Sequence, residues 1–465
     1  MPNCVELPRL PANQCAFADA GGRPRARIPR PGPAFLRRVP FSSAIVERIA
    51  VKLNEMEHAM RAGELGRVPQ IAIEHQIQVG NFLHAEDFVP VTQAHIMADT
   101  ESLGEEGVRW LESLAREDGG KARVRVPTIT DPRGTDFSKA SVLKQPIRFL
   151  DLERRTIAAF EQLGVAMTDT CINYQTIQAP TRGESVAFGD TGVVIYSNSV
   201  CGARSNYEGG PSALSAGLTG RTPRYGFHLD AQRRATLRIR TDWTPKTLNE
   251  WGALGGLVGR LAGNYWAVPV VEGLEGSPGS DAMKHFGAAM ASFGSIALFH
   301  LVGITPEAVR IEDCGGDKLP IAHRIGEKDV LALAANYAAR SDSDADIDVV
   351  VFSAPQLSIF ELRSLSLLCA GRTFVKPLLA MTSPQVKPDS DRFGYTQTIE
   401  DAGGHVMSGM CFYQSYAREI AEANGWKRLA TNSTKLVNIL GGYGYVPMLA
   451  SMERCVEAAE KGRLA

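Results

Sequence analysis

The sequence predicts an α/β protein of two or three packed units, built on parallel sheets. Short apolar runs alternate with helical stretches of about ten residues, the pattern that βαβ units impose. Several of these runs end in polar loops carrying Cys, His or Asn, and in open α/β sheets ligands collect outside the carboxyl ends of strands. A chain of 465 residues also exceeds what one hydrophobic core organises.

The totals exclude several function classes. A hydrophobic content of 44% with 22% charged residues is that of a globular protein. Fifty basic residues balance 51 acidic ones, so charge offers no footing for nucleic acid or a membrane surface. The longest apolar run, around Ile296–Ile304, is broken by His300 and is too short to span a bilayer. Eight cysteines without framework spacing or a secretory leader imply reduced thiols and a cytoplasmic protein.

Residues 1–43 carry seven arginines against Glu6 and Asp19 among clustered prolines, which predicts a disordered tail. From Ser43 the pattern turns helical, with a Gly-Pro break between two helices in MEHAMRAGELGRVPQIAIEHQIQVGNFL. DFVPVTQAHIMAD reads as a short strand whose end carries His95; a helix over 105–116 and the strand ARVRVPTI follow. Three later strands run into loops at Cys171, at Ser353-Ala354-Pro355 and at Cys411, and the reading places these loops on one cleft. Ser358 and Glu361 form a capping box that opens the helix SIFELRSLSLLCAG. A polar TNSTK loop, a Gly-Tyr turn at 441–445 and a closing helix from about Pro447 complete the chain.

The stretch 197–229 is too polar for core and too rich in fixed-geometry residues for filler. A planar Arg204 fork between Asn198 and Asn206 suits a carboxylate or phosphate, or else ties a loop to an acidic partner.

Asn198-Ser199, Gly202-Ala203-Arg204, Asn206, Gly209-Gly210-Pro211, Thr219–Pro223 and Tyr225–His228 together resemble the signature of aconitase X, a branch of the aconitase superfamily. The resemblance extends from about Met60 to the C-terminus. It implies an aconitase-like large subunit with α/β domains around a central cleft, a core at 44–330 and a third domain at 331–465. The swivelling domain of aconitases has no counterpart in the matched residues, so the resemblance implies a separate small subunit and a heterodimer.

Dehydration must remove a proton next to a carboxylate and expel a hydroxyl, which needs a base and either a Lewis acid or a proton donor. In the family the Lewis acid is an iron–sulfur cluster on three cysteines. Two of them match Cys171 and Cys411; where relatives read Gly-Cys-Pro-His, this chain has Ser353-Ala354-Pro355-Gln356. The cofactor expected is thus a cluster with a substitute ligand such as Cys369 or Cys201, a mononuclear iron, or none. The resemblance implies that His95 and Lys284 are catalytic and that Asn173, Asn198, Ser199, Arg204, Asn206 and His228 bind substrate. The expected activity is hydro-lyase action on a small hydroxy acid, foremost cis-3-hydroxy-L-proline, with mevalonate 5-phosphate or another hydroxy acid as alternatives. A non-catalytic aconitase-like binding protein is the rival from a different class.

Overall fold

The computed structural model describes residues 51–338 and 345–464, so the expected disordered tail over 1–43 lies outside the described residues. The first helix, Glu55–Ala62, starts at Asn54, whose side chain and that of Glu57 cap each other's backbone N–H, and it ends at Gly63 with φ +80°. Arg67–Phe82 follows and buries Val68, Ala72 and Ile73. The expected helix at 105–116 begins earlier, at Thr100, because Asp99 caps it by accepting from the Ser102 N–H.

Three parallel sheets follow in chain order. In the first third, strands β1 (Phe88–Pro90), β2 (Ala94–Ile96), β3 (Thr128–Thr130), β4 (Ala187–Phe188) and β5 (Arg221–Pro223) form a parallel sheet of order β3-β2-β4 beside an antiparallel β1-β5 pair. Next come β6 (Leu237–Thr241), β7 (Pro269–Glu272), β8 (His300–Leu301) and β9 (Ile321–Ile325), parallel in the order β8-β7-β6-β9. The last sheet contains β10 (Val349–Leu357), β11 (Leu378–Thr382), β12 (Gly404–Ser408), β13 (Arg428–Thr431) and β14 (Val446–Leu449) in the order β12-β11-β10-β13-β14. This sheet is doubly wound, and its strand order reverses between β10 and β13, the place where such sheets open a crevice.

Pro447 lies in a strand, not in the closing helix. It sits on the sheet's edge strand, where a missing N–H costs no ladder bond, and the helix begins only at Met452 behind its Ser451 cap. Helices Leu248–Ala262 and Ser280–Gly294 approach so closely that a Cβ at Gly255 would lie 2.1 Å from the Phe286 carbonyl oxygen. Cys369 and Cys455 are fully buried in the main core. Among the described residues no helix is long and apolar enough to cross a membrane.

Candidate active site

The carboxyl ends of the first sheet face those of the third. Arg133, after β3, exchanges backbone bonds with Gly409 and Cys411, after β12. The Gln414 side chain donates to Asp131 Oδ2 at 2.9 Å, and the Ser408 N–H to Asp136 Oδ2 at 2.8 Å. Across the crevice, Ser433 donates to the Ala354 carbonyl at 2.6 Å, and Lys435 Nζ lies 3.5 Å from Asp190 Oδ2. All three loops singled out in the sequence meet here, joined by residues far apart in the chain.

His95 carries a buried ring nitrogen without a partner. Its Nε2 lies 2.8 Å from the Thr170 carbonyl, which can only accept, so Nε2 carries the proton and Nδ1 is a bare lone pair. Nδ1 is buried without a partner, as is Asp131 Oδ1, which lies 3.6 Å from Nε2. Burial lowers the His95 pKa and keeps the ring neutral. Burial, reinforced by the nearby Asp190 charge, raises the Asp131 pKa well above its ordinary value and so favours the protonated carboxyl. Lys435 stays charged: burial alone would lower its pKa, but Asp190 and the surrounding thiols and acids outweigh this. Its ammonium lies 5.4 Å from the centre of the Tyr413 ring. An imidazole of lowered pKa, a carboxyl of raised pKa and an ammonium therefore share one buried junction, a set able to move protons.

Cys171 and Cys411 sit in this junction, both buried. Burial raises both thiols, Cys411 to about 12. The Gln356 backbone N–H donates to Cys171 Sγ at 3.4 Å, and the Ser353 hydroxyl lies 3.5 Å from Cys411 Sγ. Ala354 brings no donor, and its φ of +53° belongs to the bulge where β10 shifts register between Phe352 and Leu357. Cys369 is locked in the core, and Cys201 lies near Glu184, before β4 and away from its carboxyl end. Among the described residues, no three His, Cys, Asp or Glu side chains are placed to hold one metal ion. The residues present do not fit a three-cysteine iron–sulfur cluster.

Lys284 is engaged elsewhere. Its buried ammonium pairs with Glu361, with Asp281 at 3.2 Å and with the Gln356 carbonyl at 3.0 Å. Burial would raise Glu361, but Lys284 and the His285 hydrogen bond outweigh it and hold the carboxyl at about 2. Asn173, two residues beyond Cys171, donates to the Gln178 carbonyl at 3.2 Å and leaves Oδ1 buried without a partner.

The other residues expected at the substrate gather around the 197–229 stretch, at the amino end of β4. There Arg204 pairs through its backbone with Ser185, while its side chain bonds Asp230 and the His228 carbonyl. Asn198 ties Ser205 to the Ala297 carbonyl, and the Ser199 hydroxyl accepts from the Phe299 N–H. Asn206 joins Tyr225, Phe227 and Tyr265. His228 is buried between Arg233 and Arg204, and burial with these charges holds its pKa down at about 3. Arg204 also lines an open cavity of about 820 Å³ with Arg182, Arg233, Arg234 and Glu307. Asp131, Asp190 and Lys435 were not singled out in the sequence. Their signal is a charged residue one to four positions beyond the end of an apolar strand.

Family profiles described as aconitase X first, second and third domain match residues 50–231, 235–335 and 347–461. The phosphomevalonate dehydratase large subunit of Methanothermobacter thermautotrophicus is 32% identical over 394 residues, covering 84% of this chain and 94% of that protein. The cis-3-hydroxy-L-proline dehydratase of Pseudomonas aeruginosa is 29% identical over 445 residues, covering 94% of this chain and 75% of that protein. The crystal structure of Thermococcus kodakaraensis aconitase X in its holo-form matches with a TM-score of 0.78 and 28% identity, over 88% of this chain and 100% of that one.

Proposed function

This chain belongs to the aconitase X family, and we propose that it is the large subunit of a hydro-lyase that removes water from a small hydroxy amino acid of the cis-3-hydroxy-L-proline type. The partner is a separate small subunit, a reading supported by the relatives named large subunits that it covers almost completely. One observation carries the choice of substrate. The buried junction presents Lys435 paired with Asp190, one basic and one acidic side chain, so it suits a zwitterion better than a phosphate dianion.

In this reading Lys435 holds the substrate carboxylate and stabilises the negative charge that develops as the adjacent carbon loses its proton. His95 Nδ1 takes that proton, with Nε2–H fixed by the Thr170 carbonyl. Asp131, kept protonated by its surroundings, gives a proton to the departing hydroxyl, which leaves as water. Identity favours a second substrate, since several relatives at 30–32% are phosphomevalonate dehydratase large subunits. The test supplies cis-3-hydroxy-L-proline and mevalonate 5-phosphate separately to the two-subunit complex and follows loss of water by mass spectrometry. Turnover of the amino acid is expected; turnover of the phosphate alone transfers the assignment to it, and binding without water loss makes the protein a metabolite binder.

A further inference from the structure

We infer that the Gln356 carboxamide closes the three-loop junction in this chain, and that the junction forms without iron at Cys171 and Cys411. The side chain is fully buried and every polar atom of the residue is engaged. Nε2 reaches the carbonyls of Asp169 at 3.1 Å, Thr382 at 3.2 Å and Met410 at 3.4 Å, while Oε1 accepts from the Cys171 N–H at 3.3 Å. On the main chain, its N–H donates to Cys171 Sγ and its carbonyl accepts from Lys284. One neutral side chain thereby ties the residues just before Cys171 and Cys411 to each other and to the end of β11.

Nothing in the 353–356 loop is left to bind metal. Ala354 has no donor atom and its carbonyl takes the Ser433 hydroxyl. The Ser353 hydroxyl accepts from the Phe412 N–H at 3.1 Å and contacts Cys411 Sγ. A carboxamide suits this position because two N–H donors meet surplus carbonyls, whereas a carboxylate there would face the same oxygens with no donor. The junction's integrity is then independent of redox state, oxygen and chelators. A loop set organised by a cluster would lose part of its fold with the metal.

The test uses the full chain co-expressed with its small subunit and purified without oxygen. Iron and acid-labile sulfide are measured, and thermal unfolding is recorded with and without EDTA and ferricyanide. The expected result is substoichiometric iron, no sulfide and an unfolding midpoint that neither reagent moves. Gln356→Glu is expected to lower the midpoint by several degrees; where it does not fold, wild-type metal content decides alone. Stoichiometric iron that disappears in Cys171→Ser, with or without sulfide, would overturn the inference, as would an EDTA-sensitive midpoint. None of these readouts depends on turnover, so the inference stands or falls apart from the dehydratase reading.

Discussion

Replacing Lys284 by Met separates a role in folding from a role in chemistry. In the wild type the ammonium neutralises Glu361 inside the core, where neither side chain meets solvent. Glu361 titrates at about 2 against an ordinary 4.5, a difference equivalent to about 3 kcal/mol at 1.36 kcal/mol per pH unit. Its pKa is depressed, so this stability is fully present above pH 4.5 and is lost as pH falls from there through 2. Removing the ammonium strands a buried carboxylate, for which about 3–5 kcal/mol is typical, in line with the titration figure. The pair joins helix Ser280–Gly294 to helix Ile359–Cys369, and Trp251 packs edge-on against Phe286 two residues from Lys284. Urea unfolding followed by tryptophan fluorescence at pH 7 should therefore show a lower midpoint in Lys284→Met, with the gap to wild type narrowing toward pH 3. Lys284→Met/Glu361→Leu, which removes both charges, should recover much of the loss. An unchanged midpoint with collapsed turnover would refute this reasoning and make Lys284 a catalytic group.

His95→Asn should lower kcat by about 10²–10⁴-fold with little change in KM, read by steady-state kinetics on the two-subunit complex. The acid limb of wild-type kcat/KM should lie below pH 6.5, where the lowered His95 pKa places it, and activity should fall again once Asp131 loses its proton. His228→Leu should remove an acid lability: the folded residue titrates at about 3 against 6.5, so wild-type stability falls as pH drops below 6.5. At pH 5 that loss is about 2 kcal/mol, visible as a shallower pH dependence of the variant's unfolding midpoint. Asn206→Ala breaks its bonds to Tyr225, Phe227 and Tyr265 and should cost about 3 kcal/mol of stability while leaving the substrate KM unchanged, measured by urea titration and kinetics.

The parts of the site that sequence reasoning reached are those with a local signature. An apolar run followed by a polar loop placed Cys171, Ser353 and Cys411 at strand ends, and parallel sheets turn strand ends into a shared surface. The parts it missed depend on pairings across the chain. Lys435 meets Asp190 across 245 positions, and Gln356 reaches Asp169 across 187. The 197–229 stretch is ambiguous for a related reason. Its Asn, Ser and Arg side chains satisfy backbone groups of irregular loops, a demand as strict as that of a ligand and identical in composition.

The two ends of the first sheet carry different sets of polar groups. At the amino end of β4, the side chains of Asn198, Asn206 and Arg204 bond protein groups, while His228 Nε2 is buried without a partner. At the carboxyl ends, His95 Nδ1 and Asp131 Oδ1 are buried without partners. An unpartnered buried polar atom costs about 1–3 kcal/mol, so these two are a liability unless something binds there. The third sheet faces them with Lys435, which pairs with Asp190, and with Gln414, which donates to Asp131. A ligand carrying a carboxylate for Lys435 and a cationic nitrogen for Asp190 would meet these charges within one small molecule. On the proposed reading, the contact between the first and third sheets selects the zwitterionic substrate.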